Sequence, residues 1–453
     1  MPGRTVVEGV RGGAWMTGVS LTVALVGFIY WLVMARMAGL HALGVAASVI
    51  SGAGVASSLA GAGLGLAIIA SVAAGSVGFW GFMVYSLLVS LVGGFAALVL
   101  AAPLGGYGSI AFALAFLGLL SACLLNVFVA SKRFRGYFAI GLVSAFSRLA
   151  VGVALVVLGM GVVGILAGYL APSVVTLAAA APLVVVLWRE EGLGSRGFEG
   201  VGRLASLHAA NYPYGFSQQL ALMLTVYAYA VSGGIASSVG SLYLLLMIEL
   251  VLVSLPFSTA VALIPVSMGA SFEEAYREAY RVTAAASLLA ASLLLAAPSR
   301  ILSLISSRLA SSSTLLPALL LSMTPVMHVQ LAVTWLNRRG DRRGVALVGA
   351  SRLAALVLLL ALLLHTGVRG VLAAWILANL LAAVVGAALT STMRLLASLT
   401  ALNTLLLLSY IPTARLILPL LVLLAAHFSG IAEIREMLEM ARLVTGWRRM
   451  AGD

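Results

Sequence analysis

The sequence predicts an all-α integral membrane protein of about fourteen transmembrane helices, arranged as two pseudo-symmetric six-helix bundles plus two C-terminal helices. Three observations carry this prediction: the composition, the length of the charge-free runs, and a hairpin that occurs twice. Hydrophobic residues make up 62% of the chain and charged residues 9%, with a mean hydropathy of +1.15. A soluble domain is roughly one quarter charged. From Ala42 to Ser131 there is no Asp, Glu, Lys, Arg or His. A hydrocarbon core of ~30 Å takes roughly 20 helical residues to cross, so this run holds three spans. Leu149 to Trp188 and Ala209 to Ile248 are equally free of charge and hold about two spans each. Long continuous apolar runs specify helices rather than the shorter alternating strands of an outer-membrane barrel.

The repeated hairpin enters from a basic loop through Arg-Gly, crosses an apolar span carrying Ser-Arg-Leu-Ala, and turns through Gly-x-x-Gly into the next span. Ser147-Arg148-Leu149-Ala150 with Gly161 and Gly164 answers Ser351-Arg352-Leu353-Ala354 with Gly367 and Gly370. The offset of 204 to 208 residues is close to half the chain. An internal repeat in a membrane chain points first to a transporter.

Spans are predicted near 15–37, 42–70, 77–101, 108–130, 137–159, 162–188, 211–232, 240–268, 282–304, 312–336, 344–366, 368–390, 394–411 and 413–428. Alternating the loops places 19 of the 26 basic residues on one side, including Lys132, Arg133, Arg135, Arg338, Arg339, Arg342 and Arg343. The other side receives five, Arg36, Arg300, Arg308, Arg369 and Arg415, while Arg148 and Arg352 fall inside spans. By the positive-inside rule, both termini are cytoplasmic in a multi-pass protein of the cytoplasmic membrane. The formal charge of +13 is thereby explained by topology, and no nucleic-acid partner is expected.

In chain order, residues 1–14 form a short polar leader and Trp15 an interface anchor. The first span is too long for a signal-peptide core and is read as uncleaved. The second is rich in small residues, with Gly52, Gly54, Gly61, Gly63 and Gly65 among alanines and serines. Such a span serves either for dense helix packing or as a hinge in a span that must move. Residues 1–188 make the N-terminal bundle, 189–210 a cytoplasmic linker carrying both signs, and 211–393 the C-terminal bundle. The loop 271–281 spaces Glu274, Arg277, Glu278 and Arg281 as a solvated amphipathic turn. Two more helices occupy 394–428. The tail 429–453 closes in a surface helix whose apolar face is Ile434, Met437, Leu438, Ala441 and Val444. Cys123 stands alone, so no internal disulfide forms.

Several stretches resemble the polysaccharide-transport, or oligosaccharide flippase, branch of the multidrug/oligosaccharidyl-lipid/polysaccharide (MOP) exporter superfamily. These are ARMAGLHALGVAA closing the first span, the basic loop before the fifth, GMGVVGILAGYL opening the sixth, GIASSVGSLYLLLMIE between the seventh and eighth, and SGIAEIREMLEMARLV in the tail. The resemblance covers essentially the whole chain. It implies two six-helix bundles around a central cavity, alternating access, and a lipid-linked sugar as cargo. Many relatives carry an acidic residue in the seventh span, where this chain reads TVYAYAVSGG.

Polar groups within the spans are the candidate binding residues. A cation at the depth of Arg148 or Arg352 costs at least ~2.5 kcal/mol on insertion scales, so each requires a cavity, a partner or a snorkelling route. Their repeat relation would set them on opposite walls of one cavity, where guanidinium forks attract the phosphate of a lipid-linked glycan. The competing role is structural: snorkelling to the headgroups or bonding a helix carbonyl. Glu249 is the only acid within a span; it either neutralises one of these arginines or carries a proton. Asn126, Gln218, His328 and Gln330 either line a sugar path or bond between helices, as do Gln219, His365 and Asn379.

Neither a nucleotide-binding loop nor a metal-ligand cluster nor an acidic pair on an outer loop is evident, so no cofactor, no metal and no enzymatic activity are expected. The expected partners are a polyprenyl-linked glycan or another amphiphilic substrate and the membrane lipids, with the chain acting as a monomer. The leading expectation is a flippase for lipid-linked oligosaccharide. A cation-coupled multidrug exporter would want an acid in an early span, and the first six have none. A membrane glycosyltransferase or ligase would want a sizeable outer loop with acids or basic clusters, and the outer loops are short and carry no carboxylate.

Overall fold

The charge-free runs fold as helices because a chain in lipid must satisfy every backbone polar group internally. A computed structural model of the protein describes residues 22–23, 25–190, 197–266 and 272–433. The expected leader, the anchor Trp15 and the amphipathic tail helix lie outside the described residues. In chain order the helices are α1 (Leu25–Met37), α2 (Gly39–Gly61), α3 (Leu64–Ala73), α4 (Phe79–Ala101), α5 (Gly108–Ala130) and α6 (Phe134–Val157). There follow α7 (Gly161–Glu190), α8 (Val201–Val231), α9 (Ala236–Val266), α10 (Phe272–Ala296), α11 (Pro298–Ile305) and α12 (Ser307–Ala310). The series closes with α13 (Leu316–Leu320), α14 (Met323–Arg338), α15 (Arg342–Leu363), α16 (Val368–Thr390), α17 (Met393–Thr404) and α18 (Leu418–Phe428).

Among the described residues, ten helical segments are long and apolar enough to cross a membrane, and eleven if α10 and α11 count as one span bent by 83°. The protein is therefore a multi-pass, all-α integral membrane protein. The bend is written in the sequence as Ala297-Pro298: the residue before a proline is disfavoured in the helical region, and Ala297 leaves it at φ −143°, ψ 58°. The first, seventh and fourteenth predicted spans coincide with shorter apolar helices, Leu25–Met37, Leu220–Val231 and Leu418–Phe428. Large apolar side chains such as Val92, Phe95, Val157 and Leu416 are exposed, as a surface solvated by acyl chains requires.

The second predicted span is broken. Gly63 takes φ +80° and separates α2 from α3, a conformation open to glycine but strained for residues with a Cβ. A Cβ there would also lie 2.5 Å from the Asn211 backbone of α8. Tyr212 donates a hydrogen bond to the Leu59 carbonyl (2.9 Å) near the end of α2, satisfying one of the groups that a helix end leaves open. The small residues thus pack closely against their neighbours, and Gly63 breaks the span. The amphipathic turn expected at 271–281 is instead the opening of the continuous helix α10.

The helices group into two compact units that are not contiguous in sequence. One unit takes residues 25–247 and 345–378; the other takes 248–344 and 379–433. In the first, α6 packs on α7, and α2 is flanked by α4, α5, α7 and α8. The linker docks on the entry to α4: Gly78 N–H donates to the Glu199 carbonyl (3.0 Å) and Gly81 N–H to the Gly197 carbonyl (3.4 Å). Phe82 stacks on Trp188 beneath it, with ring centroids 5.1 Å apart. In the second unit, α10 packs against α14, α17 and α18, and α14 against α17.

Candidate functional site

Arg148 lies 14 residues into α6, about 21 Å along a helix rising ~1.5 Å per residue. It is half-buried, and its guanidinium carbon stands 4.5 Å from the centre of the Tyr169 ring on α7. A cation over an aromatic face is attracted by the ring quadrupole, by ~2 kcal/mol or more where both are desolvated. Close approach of the two helices makes this possible. A Cβ on Gly168 would come within 2.6 Å of the Gly152 Cα and 2.8 Å of the Tyr30 hydroxyl. Tyr30 of α1 donates its hydroxyl hydrogen to the Ile165 carbonyl of α7. Trp31 packs between Tyr169 and Tyr243, at ring-centroid distances of 5.8 and 4.7 Å. The arginine is thus held by an aromatic cluster drawn from α1, α7 and α9. Its Nε has no hydrogen-bond partner among the described residues.

Arg352 lies 10 residues into α15 in the same unit. It is only 4% exposed, and its guanidinium carbon stands 5.3 Å from the Trp375 ring of α16, itself 1% exposed. Neither aromatic partner was among the residues singled out by sequence, yet the signal was there. Tyr169 and Trp375 are 206 residues apart, the offset that relates Gly161 to Gly367 and Gly164 to Gly370. Aligned on those glycines, GILAGY meets GVLAAW. The duplicated element is therefore an arginine on one span seated on an aromatic ring of the next.

The remaining candidates are distributed over both units. Asn126 of α5 is half-buried with its amide against Gly65, where a Cβ would lie 2.8 Å from Nδ2. Gln218 belongs to α8, and its side chain lies outside the described set. In the other unit Glu249 is 1% exposed and accepts a hydrogen bond from the Ser322 hydroxyl. His328 is fully buried, its Nε2 2.9 Å from the Thr392 hydroxyl. Gln330 is half-buried on the same helix. Asn379 is fully buried, whereas His365 is exposed. Among the described residues no group of three or more His, Cys, Asp or Glu could hold a metal ion.

No protein-family model matches the chain, and no curated protein matches it in sequence. Solved structures do match in fold. The lipid II flippase MurJ in an inward closed conformation superposes with a TM-score of 0.65 at 10% identity, over 90% of this chain and 97% of that one. A point mutant of the Vibrio cholerae MATE transporter VcmN gives 0.56 at 19% identity, over 88% of this chain and 100% of that one. The chain has the fold of the MOP superfamily of membrane transporters. A MOP superfamily transporter from Pyrococcus furiosus, whose binding pocket of reverse polarity suggests a different function, gives 0.50 at 17% identity, over 87% of this chain and 95% of that one. The structures that share this fold include a lipid II flippase and a multidrug resistance MATE family transporter, so fold alone does not select the cargo.

Proposed function

We propose that this chain is a flippase of the cytoplasmic membrane, moving a polyprenyl-linked oligosaccharide or polysaccharide precursor from the cytoplasmic to the outer leaflet by alternating access. The observation that carries this reading is the pair of repeat-related guanidiniums, Arg148 over Tyr169 and Arg352 over Trp375, placed deep within apolar spans. A membrane-embedded cation is costly, and the more accessible of the two is matched in chemistry by a phosphate or pyrophosphate that must cross the same barrier. The planar fork of arginine bonds phosphate oxygens two at a time. Arg148, half-buried and with an unpartnered Nε, is assigned the direct contact with cargo. Arg352 is assigned the role of a buried positive charge that anchors the second copy of the hairpin. In this reading two six-helix bundles and two further helices make a fourteen-span monomer with both termini cytoplasmic. Asn126, Gln218, Gln330 and Glu249 line the path of the sugar or bond the helices that form it.

The MOP fold is shared with the lipid II flippase MurJ and with MATE transporters. The first reading is favoured over a cation-coupled drug exporter because residues 9–189 contain no Asp or Glu, leaving the early spans without a carboxylate to exchange a cation. Reconstituted proteoliposomes test the choice. Polyprenyl pyrophosphate-linked oligosaccharide on one face should become accessible to a glycosidase on the other. Absence of that movement, together with gradient-driven extrusion of a cationic dye, would select the exporter.

A further inference from the structure

His328 of α14 ends a chain of hydrogen bonds whose direction can be worked out by counting hydrogens. Thr390 donates its single hydroxyl hydrogen to the Gly386 carbonyl (2.8 Å). In the 2.8 Å contact between the Thr390 and Thr392 hydroxyls, the donor must then be Thr392. Thr392 has no second hydrogen to offer His328, so across their 2.9 Å contact the donor is Nε2. The neutral ring is thus the Nε2–H tautomer, and Nδ1 carries the lone pair. That nitrogen is buried and without a hydrogen-bond partner among the described residues, on a side chain that is 0% exposed.

The contact joins α14 to the turn between α16 and α17, where Ser391 takes the left-handed φ of +57°, costly for a residue with a Cβ. Thr390 and Thr392 on either side are buried, so the histidine grips a strained turn. From α10 the titratable group facing it is Tyr280, whose ring meets the imidazole edge-on at 6.0 Å. From the α16–α17 turn it is faced by the Thr392 hydroxyl.

We infer that His328 is a proton-binding site, and that a proton on Nδ1 unlatches α14 from the α16–α17 turn. The proton comes from water and adds to the Nδ1 lone pair; the product is an imidazolium with N–H at both positions, and no other bond forms or breaks. Inside the closed contact that cation would stand in a dry, uncompensated place, which disfavours it. The ring therefore takes the proton where α14 has parted from the turn and water reaches it. By linkage the neutral form goes with the closed contact and the charged form with the parted one, so falling pH favours parting.

Hydrogen exchange read by mass spectrometry on the full chain in lipid nanodiscs tests this, with His328→Gln, whose amide still donates to Thr392 but takes no proton. Between pH 7.5 and 5.5, after correction for the intrinsic rate, wild-type exchange in segments 323–333 and 388–396 should rise roughly tenfold or more, and H328Q should stay flat. An equal rise in H328Q, or none in the wild type, overturns the inference. Should H328Q not fold, Thr392→Val, which removes the acceptor, should already show the parted exchange at pH 7.5, and wild-type-like protection in T392V overturns the latch. No cargo enters this assay, so its outcome is separate from that of the flippase reading.

Discussion

The hairpin α6–α7 and the pair α15–α16 start from one sequence template and finish differently. Both seat an arginine on an aromatic ring of the following helix. In the first, the ring is Tyr169, the guanidinium is half-buried, and α1 and α9 contribute Tyr30, Trp31 and Tyr243 around it. In the second, the ring is the larger Trp375, and arginine and ring are sealed from surroundings. Gly168 lets α7 approach Gly152 of α6, whereas the aligned residue in α16 is Ala374. A duplicated cation–aromatic pair has thus been kept accessible in one copy and turned inward in the other. In the flippase reading proposed above, that difference assigns Arg148 to the ligand and Arg352 to the fold.

The largest effect is expected at the sealed pair. Truncating Trp375→Ala should cost about 3–5 kcal/mol, the range for a buried aromatic, and should appear as a large fall in the thermal midpoint of the purified protein. Arg352→Gln removes the cation–ring attraction and should cost about 2 kcal/mol; cargo binding by the folded fraction should stay within about threefold of wild type. If R352Q instead binds cargo poorly while melting normally, the division of roles between the two copies is wrong. At the open pair, Tyr169→Ala should cost less stability than Trp375→Ala, because Arg148 and its ring keep more of their environment when separated. Tyr169→Phe keeps the π face and should change the midpoint by no more than about 0.5 kcal/mol in equivalent stability.

Much of this architecture was legible from sequence, and the reasons are physical. A run of 90 residues without charge, Ala42 to Ser131, leaves a bilayer as its solvent, and all but the first turn of α2 together with α3, α4 and α5 occupy that run. The repeat located both arginines because a buried cation stands out in an apolar span. Their aromatic partners were not located, since Tyr169 and Trp375 read as ordinary apolar residues until the 206-residue offset is applied to them. The break at Gly63 was hidden for the opposite reason. Six glycines in the second span, Gly44 among them, look equivalent in sequence, and only the approach of Asn211 and a positive φ single one out. Span counting was limited by helices that stop short, such as α18 with 11 residues beyond a stretch of 3-10 turns. The His328 latch depends on the direction of three hydrogen bonds between residues up to 64 positions apart, which no periodicity encodes.

The most direct test is the affinity of the purified, folded protein for a polyprenyl pyrophosphate-linked oligosaccharide, compared between wild type and Arg148→Gln. Charge-assisted hydrogen bonds contribute about 1.5–3 kcal/mol each, so R148Q should bind roughly tenfold to a hundredfold more weakly while its thermal midpoint falls less than that of R352Q. Equal affinity in R148Q and wild type would contradict the assignment of Arg148 to the cargo phosphate.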